Sequence, residues 1–191
     1  MRWRLGLDLG SATGWALAGD NRIVASGTVL FTKKPDAHPG ERLVSFYKWL
    51  SDYWTEVDEV HYEKVIGYSG HTDGNLFNRF YAILEMWAAQ TRIPLLPYNP
   101  SHLKKEFTGN GRAEKDEMCR MAMRLGWPNG EEGTDRYHDE ADAVAILVVA
   151  LKILSQEAEF DYGYGNTMAA IQPAAEGPAG ACSGAETDTD L

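Results

Sequence analysis

Leu5-Gly6-Leu7-Asp8-Leu9-Gly10-Ser11-Ala12-Thr13-Gly14-Trp15 decides how the rest of the chain is read. Residues 3–9 alternate as a strand, Gly10 to Gly14 supply a turn, and residues 15–18 return as a second strand. Gly19-Asp20-Asn21 forms a hairpin turn into a third strand over residues 23–31. Three consecutive strands joined by tight turns predict an antiparallel meander. Asp8 stands at the end of the first strand with Leu7 and Leu9 beside it. A carboxylate in apolar surroundings is expensive unless a partner or a cation meets it. A plainer possibility is an Asp that hydrogen-bonds the backbone of the turn that follows.

Further along, the period changes. A loop rich in Lys, Pro and Gly spans residues 32–40, and Leu43, Phe46, Tyr47, Leu50, Trp54 and Val57 recur at helical spacing. Residues 57–65 read as a fourth strand carrying Glu63, 67–74 as a loop, 75–91 as a helix and 93–98 as a fifth strand. A short helix over 101–107, a turn over 108–111, a helix over 113–125 and a polar loop over 127–137 lead to a final helix over 139–154. A strand meander followed by alternating strands and helices predicts an α/β domain with a mixed five-stranded sheet flanked by helices. The helix over 75–91 carries Leu76, Phe77, Phe80, Tyr81, Ile83, Leu84, Met86 and Trp87 on more than one face, which predicts a homodimer surface.

Charge divides the chain. There are 28 acidic and 18 basic residues, a formal charge of −10, which argues against a generic nucleic-acid binder. Residues 156–191 hold seven acids and no Lys or Arg, so residues 1–155 carry only −3. The Gly, Ala, Pro, Glu and Thr composition after residue 155 lacks periodicity, so the expected organisation is a folded domain over 1–155 and a disordered acidic tail over 156–191. Cys119 and Cys182 are the only cysteines, and Met1-Arg2-Trp3-Arg4 runs straight into a strand without a signal-peptide layout. The longest apolar run, residues 143–151, is too short for a bilayer. Reduced thiols and a cytoplasmic setting, with no membrane partner, are expected.

Four acids bear on chemistry: Asp8, Glu63, Asp139 and Asp142. Brought together in space they would repel unless cations lay between them, and hard oxygen ligands suit Mg2+ or Mn2+ and metal-assisted phosphodiester hydrolysis. Taken singly, each has a quieter reading. Glu63 could pair with Lys64, and the alternation of residues 60–65 leaves its face open. Asp139 and Asp142 share a helix face at i, i+3, yet could simply favour a helix N-terminus. That explains Asp142 less well, because it sits where the helix turns apolar. Lys104, Lys105, Arg112 and Lys115 flank Gly109-Asn110-Gly111 and offer a phosphate-contacting surface, or an ordinary solvated loop.

Together, these segments resemble one family. Residues 5–15, His61-Tyr62-Glu63-Lys64-Val65, residues 104–115 and His138-Asp139-Glu140-Ala141-Asp142-Ala143-Val144-Ala145-Ile146 look like the four motifs of the RuvC Holliday-junction resolvases, in order, over residues 4–154. The resemblance implies an RNase H-like fold, a homodimer, and Mg2+-dependent nicking of two opposed strands of a four-way DNA junction, with two ions per site and Mn2+ able to substitute. It implies Asp8, Glu63, Asp139 and Asp142 as catalytic metal ligands, Asp8 bridging, with Lys104 and Lys115 facing phosphate and Lys115 among the catalytic residues. Ile66 stands where the family often has an aromatic after the second acid, and Tyr68 is the candidate replacement at the junction. The acidic tail and short length suit a phage-encoded member, acting in the bacterial host's cytoplasm. Two alternatives remain at this point: an RNase H-like nuclease for flaps, forks or RNA–DNA hybrids, and a nucleotide-binding protein of the actin/sugar-kinase kind.

Overall fold

The meander forms as the turns dictate: β1 (Trp3–Asp8), β2 (Ala12–Gly19) and β3 (Arg22–Leu30) pair antiparallel in sequence. The computed structural model describes residues 1–32, 35, 36, 38–64, 72–127 and 135–164, with backbone alone for 72–75, 135–137 and 157–164. α1 (Glu41–Tyr53) leads to β4 (Glu59–Glu63), which joins the free edge of β1 in parallel. α2 (Thr72–Thr91) leads to β5 (Leu95–Tyr98), parallel to β4, so the five-stranded sheet has the order β3-β2-β1-β4-β5. α3 (Pro100–Thr108), α4 (Lys115–Arg124) and α5 (Asp135–Tyr164) complete the chain. The expected α/β architecture with a mixed five-stranded sheet is the one observed.

Strand alternation sends side chains to two cores. Leu5 and Leu7 of β1 and Val60 and Tyr62 of β4 face α1 and α2, where Phe46, Leu50, Phe80, Leu84 and Trp87 are buried. Phe46 and Phe80 pack with ring centroids 4.9 Å apart, a geometry that adds about 1 kcal/mol beyond the area they bury. The opposite face carries small residues, Gly6 on β1 with Ala16 and Ala18 on β2, and α5 lies against it. A Cβ at Gly6 would stand 2.8 Å from the Ala143 carbonyl oxygen, and one at Gly14 would stand 1.8 Å from that of Asp139. The helix therefore sits closer to the sheet than any side chain at these positions allows. Ala143, Val144, Ala145, Ile146 and Leu147 are all fully buried, because α3 and α4 cover the side of α5 that the sheet does not. Truncating such a residue, Leu147→Ala for example, costs about 2–5 kcal/mol.

At the amino end of β1 and β4 the same face holds a buried ionic knot. Arg4 and Glu59 are cross-strand partners, and Arg4 Nε donates to Glu59 Oε1 at 2.6 Å. Arg2 Nη2 donates to Glu59 Oε2 at 2.8 Å, and His61 lies 3.2 Å from Oε1 through Nε2 and 3.1 Å from the Tyr98 hydroxyl through Nδ1. Every buried charge here is met by a partner, as burial demands.

Several boundaries differ from the sequence reading. α5 opens at Asp135 instead of residue 139 and runs to Tyr164, past residue 155. Apolar periodicity marks the stretch a helix buries, and among the described side chains burial is concentrated between Glu140 and Ala150. α1 stops at Tyr53, with the Trp54 N–H bonding Leu50 O; Trp54 and Val57 follow it into the core from loop backbone. α2 presents no broad second apolar face. Phe80, Leu84 and Trp87 are buried in their own subunit, Leu76, Phe77, Tyr81 and Ile83 pack partly against the same core, and Met86 alone of the eight is exposed, at 43%. Residues 65–71, which include Ile66 and Tyr68, and residues 165–191 lie outside the described residues. Among the described residues no helix is long and apolar enough to cross a membrane.

Candidate active site

β1 and β4 pair in parallel with Leu7 opposite Tyr62, so Asp8 and Glu63 lie one step on, side by side at the carboxyl ends of the two strands. Leu7 and Tyr62 point into the α1/α2 core, and alternation turns Asp8 and Glu63 to the α5 side. That settles the face of Glu63, which also carries His61 and Glu59. Carboxyl ends of parallel strands are where open α/β sheets place their sites.

Asp8 does not close its own turn. Thr13 does: its hydroxyl donates to the Gly10 carbonyl at 2.7 Å and accepts from the Gly10 N–H at 3.4 Å. The cross-strand partner of Asp8 is Gly14, the glycine over which the Asp139 backbone lies. α5 is thus fixed with Asp139 above the end of β1 and Asp142 one turn further in. Asp139 is the fifth residue of its helix, which places it beyond a cap position. Glu140, between the two, turns away and accepts from the Ser26 hydroxyl at 2.5 Å.

The four acids sense one another. Burial pushes the Asp8 carboxyl well above its usual range, and the carboxylates of Asp142, Glu63 and Asp139 push it further, against the pull of Lys115. Glu63 rises to about 7 through burial and then Asp142, with Lys104 opposing. Asp142 rises to about 6 through burial, which the charges of Lys115, Lys104 and His138 offset and that of Asp139 reinforces. All four residues are half-buried. Clustered acids with raised proton affinity and few fixed cations are a functional-site signature.

Lys104 and Lys115 are brought to the acids by a short, well-bounded piece of chain. Asn99 caps α3 by accepting from the Ser101 and His102 N–H groups at 3.0 and 3.3 Å, Pro100 takes the first turn, and Gly109 ends the helix at φ +85°. Lys105 and Arg112 are exposed, Lys105 beside Glu106 and Arg112 tied by its amide to Asn110 Oδ1 at 3.0 Å. Tyr68 falls outside the described residues.

One neighbour escaped the sequence reading. Burial, then Asp142 and Asp116, push the Cys119 thiol up to about 11, so it keeps its proton, and its sulfur lies 3.0 Å from His138 Nδ1, within hydrogen-bond distance. The i, i+4 relation of Lys115 and Cys119 would have put the thiol on the same face; that His138 meets it required the packing of α4 on α5.

Four carboxylates with no nitrogen or sulfur ligand fit a hard divalent cation in charge and donor type. Among the described residues, no three His, Cys, Asp or Glu side chains are grouped closely enough to hold a metal ion, so the acids converge without closing a ligand cage.

Residues 5–150 match the family model for crossover junction endodeoxyribonuclease RuvC. RuvC of Anaeromyxobacter sp. (strain Fw109-5) is 30% identical over 153 residues, 77% of this chain and 71% of its own length. RuvC of Corynebacterium jeikeium (strain K411) is 33% identical over 138 residues, 69% of this chain and 80% of its own. A shorter match to RuvC of Anaeromyxobacter dehalogenans (strain 2CP-1 / ATCC BAA-258) reaches 49% over 65 residues, 34% of this chain and 32% of that protein. Among solved structures, T. thermophilus RuvC in complex with Holliday junction substrate superposes with a TM-score of 0.62 at 19% identity, over 82% of this chain and 97% of that one. At that identity the likeness speaks for the fold, which is RNase H-like.

Proposed function

The chain belongs to the RuvC family of crossover junction endodeoxyribonucleases, and from that premise we propose that it resolves four-way DNA junctions by paired, metal-dependent nicks. The observation that carries this reading is the convergence of Asp8, Glu63, Asp139 and Asp142, from three separate elements, with Lys104 and Lys115 acting on the same charges. In this reading Asp8, Glu63, Asp139 and Asp142 would hold two Mg2+ ions, with Mn2+ able to substitute, and Asp8 is the carboxylate most surrounded by the others. Metal ions so held supply an activated water and neutralise the leaving oxygen of an in-line displacement. In this reading Lys104 and Lys115 face the phosphate, Lys115 as a catalytic residue, and Lys105 and Arg112 extend the contact along the strand. Tyr68 is assigned to the junction centre. Glu63 and Asp142 bind protons more tightly than free carboxylates, so binding of cations there would compete with protons. The reading includes a homodimer in a bacterial cytoplasm, and an acidic tail outside the nuclease domain.

Asp8→Asn tests it, with a synthetic four-way junction, a flap, a fork and an RNA–DNA hybrid as parallel substrates in Mg2+. The substitution keeps shape and removes the charge most surrounded by other acids. Cleavage should fall by at least about 10²-fold, a loss seen even for outer partners of metal sites, while junction binding persists. Robust cleavage by the variant would sink the metal-site reading, and faster cleavage of flap or hybrid than junction by wild type would redirect the substrate.

A further inference from the structure

α4 has a second working face. One face sends Lys115 toward Asp8 and Asp142 and buries Met118, Cys119 and Ala122. The other presents Glu117, Arg120, Met121 and Arg124, which with Thr108 at the end of α3 line a cleft of about 240 Å³. Its polar groups are unequally engaged. The Thr108 hydroxyl donates to the Lys104 carbonyl at 2.8 Å and accepts from the Asn110 N–H at 3.1 Å. The Glu117 carboxylate accepts from Asn110 Nδ2 at 3.1 Å. Neither guanidinium makes a hydrogen bond or ion pair among the described residues, although the chain holds 28 acids.

Two arginines at i, i+4 repel, and a shared anion is what relieves them. The guanidinium fork matches phosphate oxygens bidentately. Thr108 lies one turn beyond Lys104 on α3, while Arg120 and Arg124 lie beyond Lys115 on the opposite face of α4. At 1.5 Å and about 100° per residue, Arg120 and Arg124 stand about 7.5 and 13.5 Å along the helix from Lys115 and roughly 140° and 180° around it. We propose that this cleft is a second phosphate site, gripping a DNA phosphodiester on the face of α4 that turns away from the acid cluster. The proposal rests on the nuclease reading, and it adds a backbone contact that fixes the register of the strand.

The test is junction affinity across a salt series, with Ca2+ replacing Mg2+, for wild type, the double variant Arg120→Gln/Arg124→Gln, and Arg22→Gln as an exposed arginine on β3. Losing one shared phosphate contact lowers the slope of log K against log salt by about 0.9 and the affinity by about 10-fold at moderate salt. Arg22→Gln should leave the slope within error of wild type. An unchanged slope in the double variant, with wild type binding and cutting the junction, overturns the cleft alone. An equal loss in Arg22→Gln overturns it too, by showing a response to total charge. A wild type that binds no branched DNA overturns the nuclease reading and the cleft with it.

Discussion

Asp8 is flanked in sequence by leucines and in space by acids, and both conditions raise its proton affinity. The consequence is measurable without any substrate. Glu63 moves from 4.5 to about 7 on folding and Asp142 from 3.8 to about 6. Below the lower values both states are protonated alike; as pH climbs through the upper ones, the folded state must release protons that it binds more tightly than the unfolded chain. Stability is therefore lost between about pH 4 and 7. In EDTA the melting temperature should fall by several degrees from pH 5 to pH 8, and Mg2+ should restore more at pH 8 than at pH 5. A melting temperature in EDTA that stays flat across this range, with no response to Mg2+, would remove the electrostatic cluster. The acids themselves were legible in the sequence, but their roles were not. Asp8 could have closed its own turn, and only the hydroxyl of Thr13 in that position shows that it does not. The pairing of Cys119 with His138 was beyond reading, because it depends on how α4 crosses α5 and no local pattern encodes that.

At the scale of elements, a helix is set on a sheet by the absence of side chains. Gly14 faces the Asp139 backbone and Gly6 faces Ala143, so α5 is held in one register with Asp139 and Asp142 at the ends of β1 and β4. Gly14→Ala tests this. Its Cβ would lie 1.8 Å from the Asp139 carbonyl oxygen, against backbone that cannot rotate away. Forcing α5 outward should cost about 1–3 kcal/mol, the range of overpacked cores, and should displace two of the four acids. Urea denaturation and junction cleavage should both decline; a variant as stable and active as wild type would mean that α5 is not seated through this contact. Strand order and the sequence of elements were readable because tight turns and changes of period leave local marks. Element ends were not. Trp54 and Val57 continue the period of α1 while standing outside it, since a loop can feed a core as well as a helix can. Conversely, α5 opens at Asp135, ahead of the apolar stretch whose period marks it. Gly14 read only as a turn glycine, and its contact with a helix more than a hundred residues away is a tertiary fact.

Over the whole molecule, the question is how one small site would make the paired cuts proposed. A four-way junction has twofold symmetry, and a closed C2 dimer presents two sites related by the same operation. The single subunit offers α2 as one place for such contact, but less generously than its composition suggests, because Phe80, Leu84 and Trp87 are spent on its own core. A charge at Phe80, fully buried and packed on Phe46, would test folding instead of association. What remains outward is a strip of Ala82, Met86 and Ala89, with Glu85 and Gln90 beside it. Small residues on that strip allow two copies of the helix to approach closely, with Met86 filling the gap between them. Met86→Glu places like charges opposite each other across the twofold axis while touching nothing buried. Sedimentation at micromolar concentration should give a dimer for wild type and a monomer for Met86→Glu, with equal melting temperatures. The monomer should nick one strand of a cruciform plasmid, and the dimer should linearise it. A wild-type monomer that linearises the plasmid in one encounter would exclude the dimer, and a Met86→Glu dimer would move the interface away from α2.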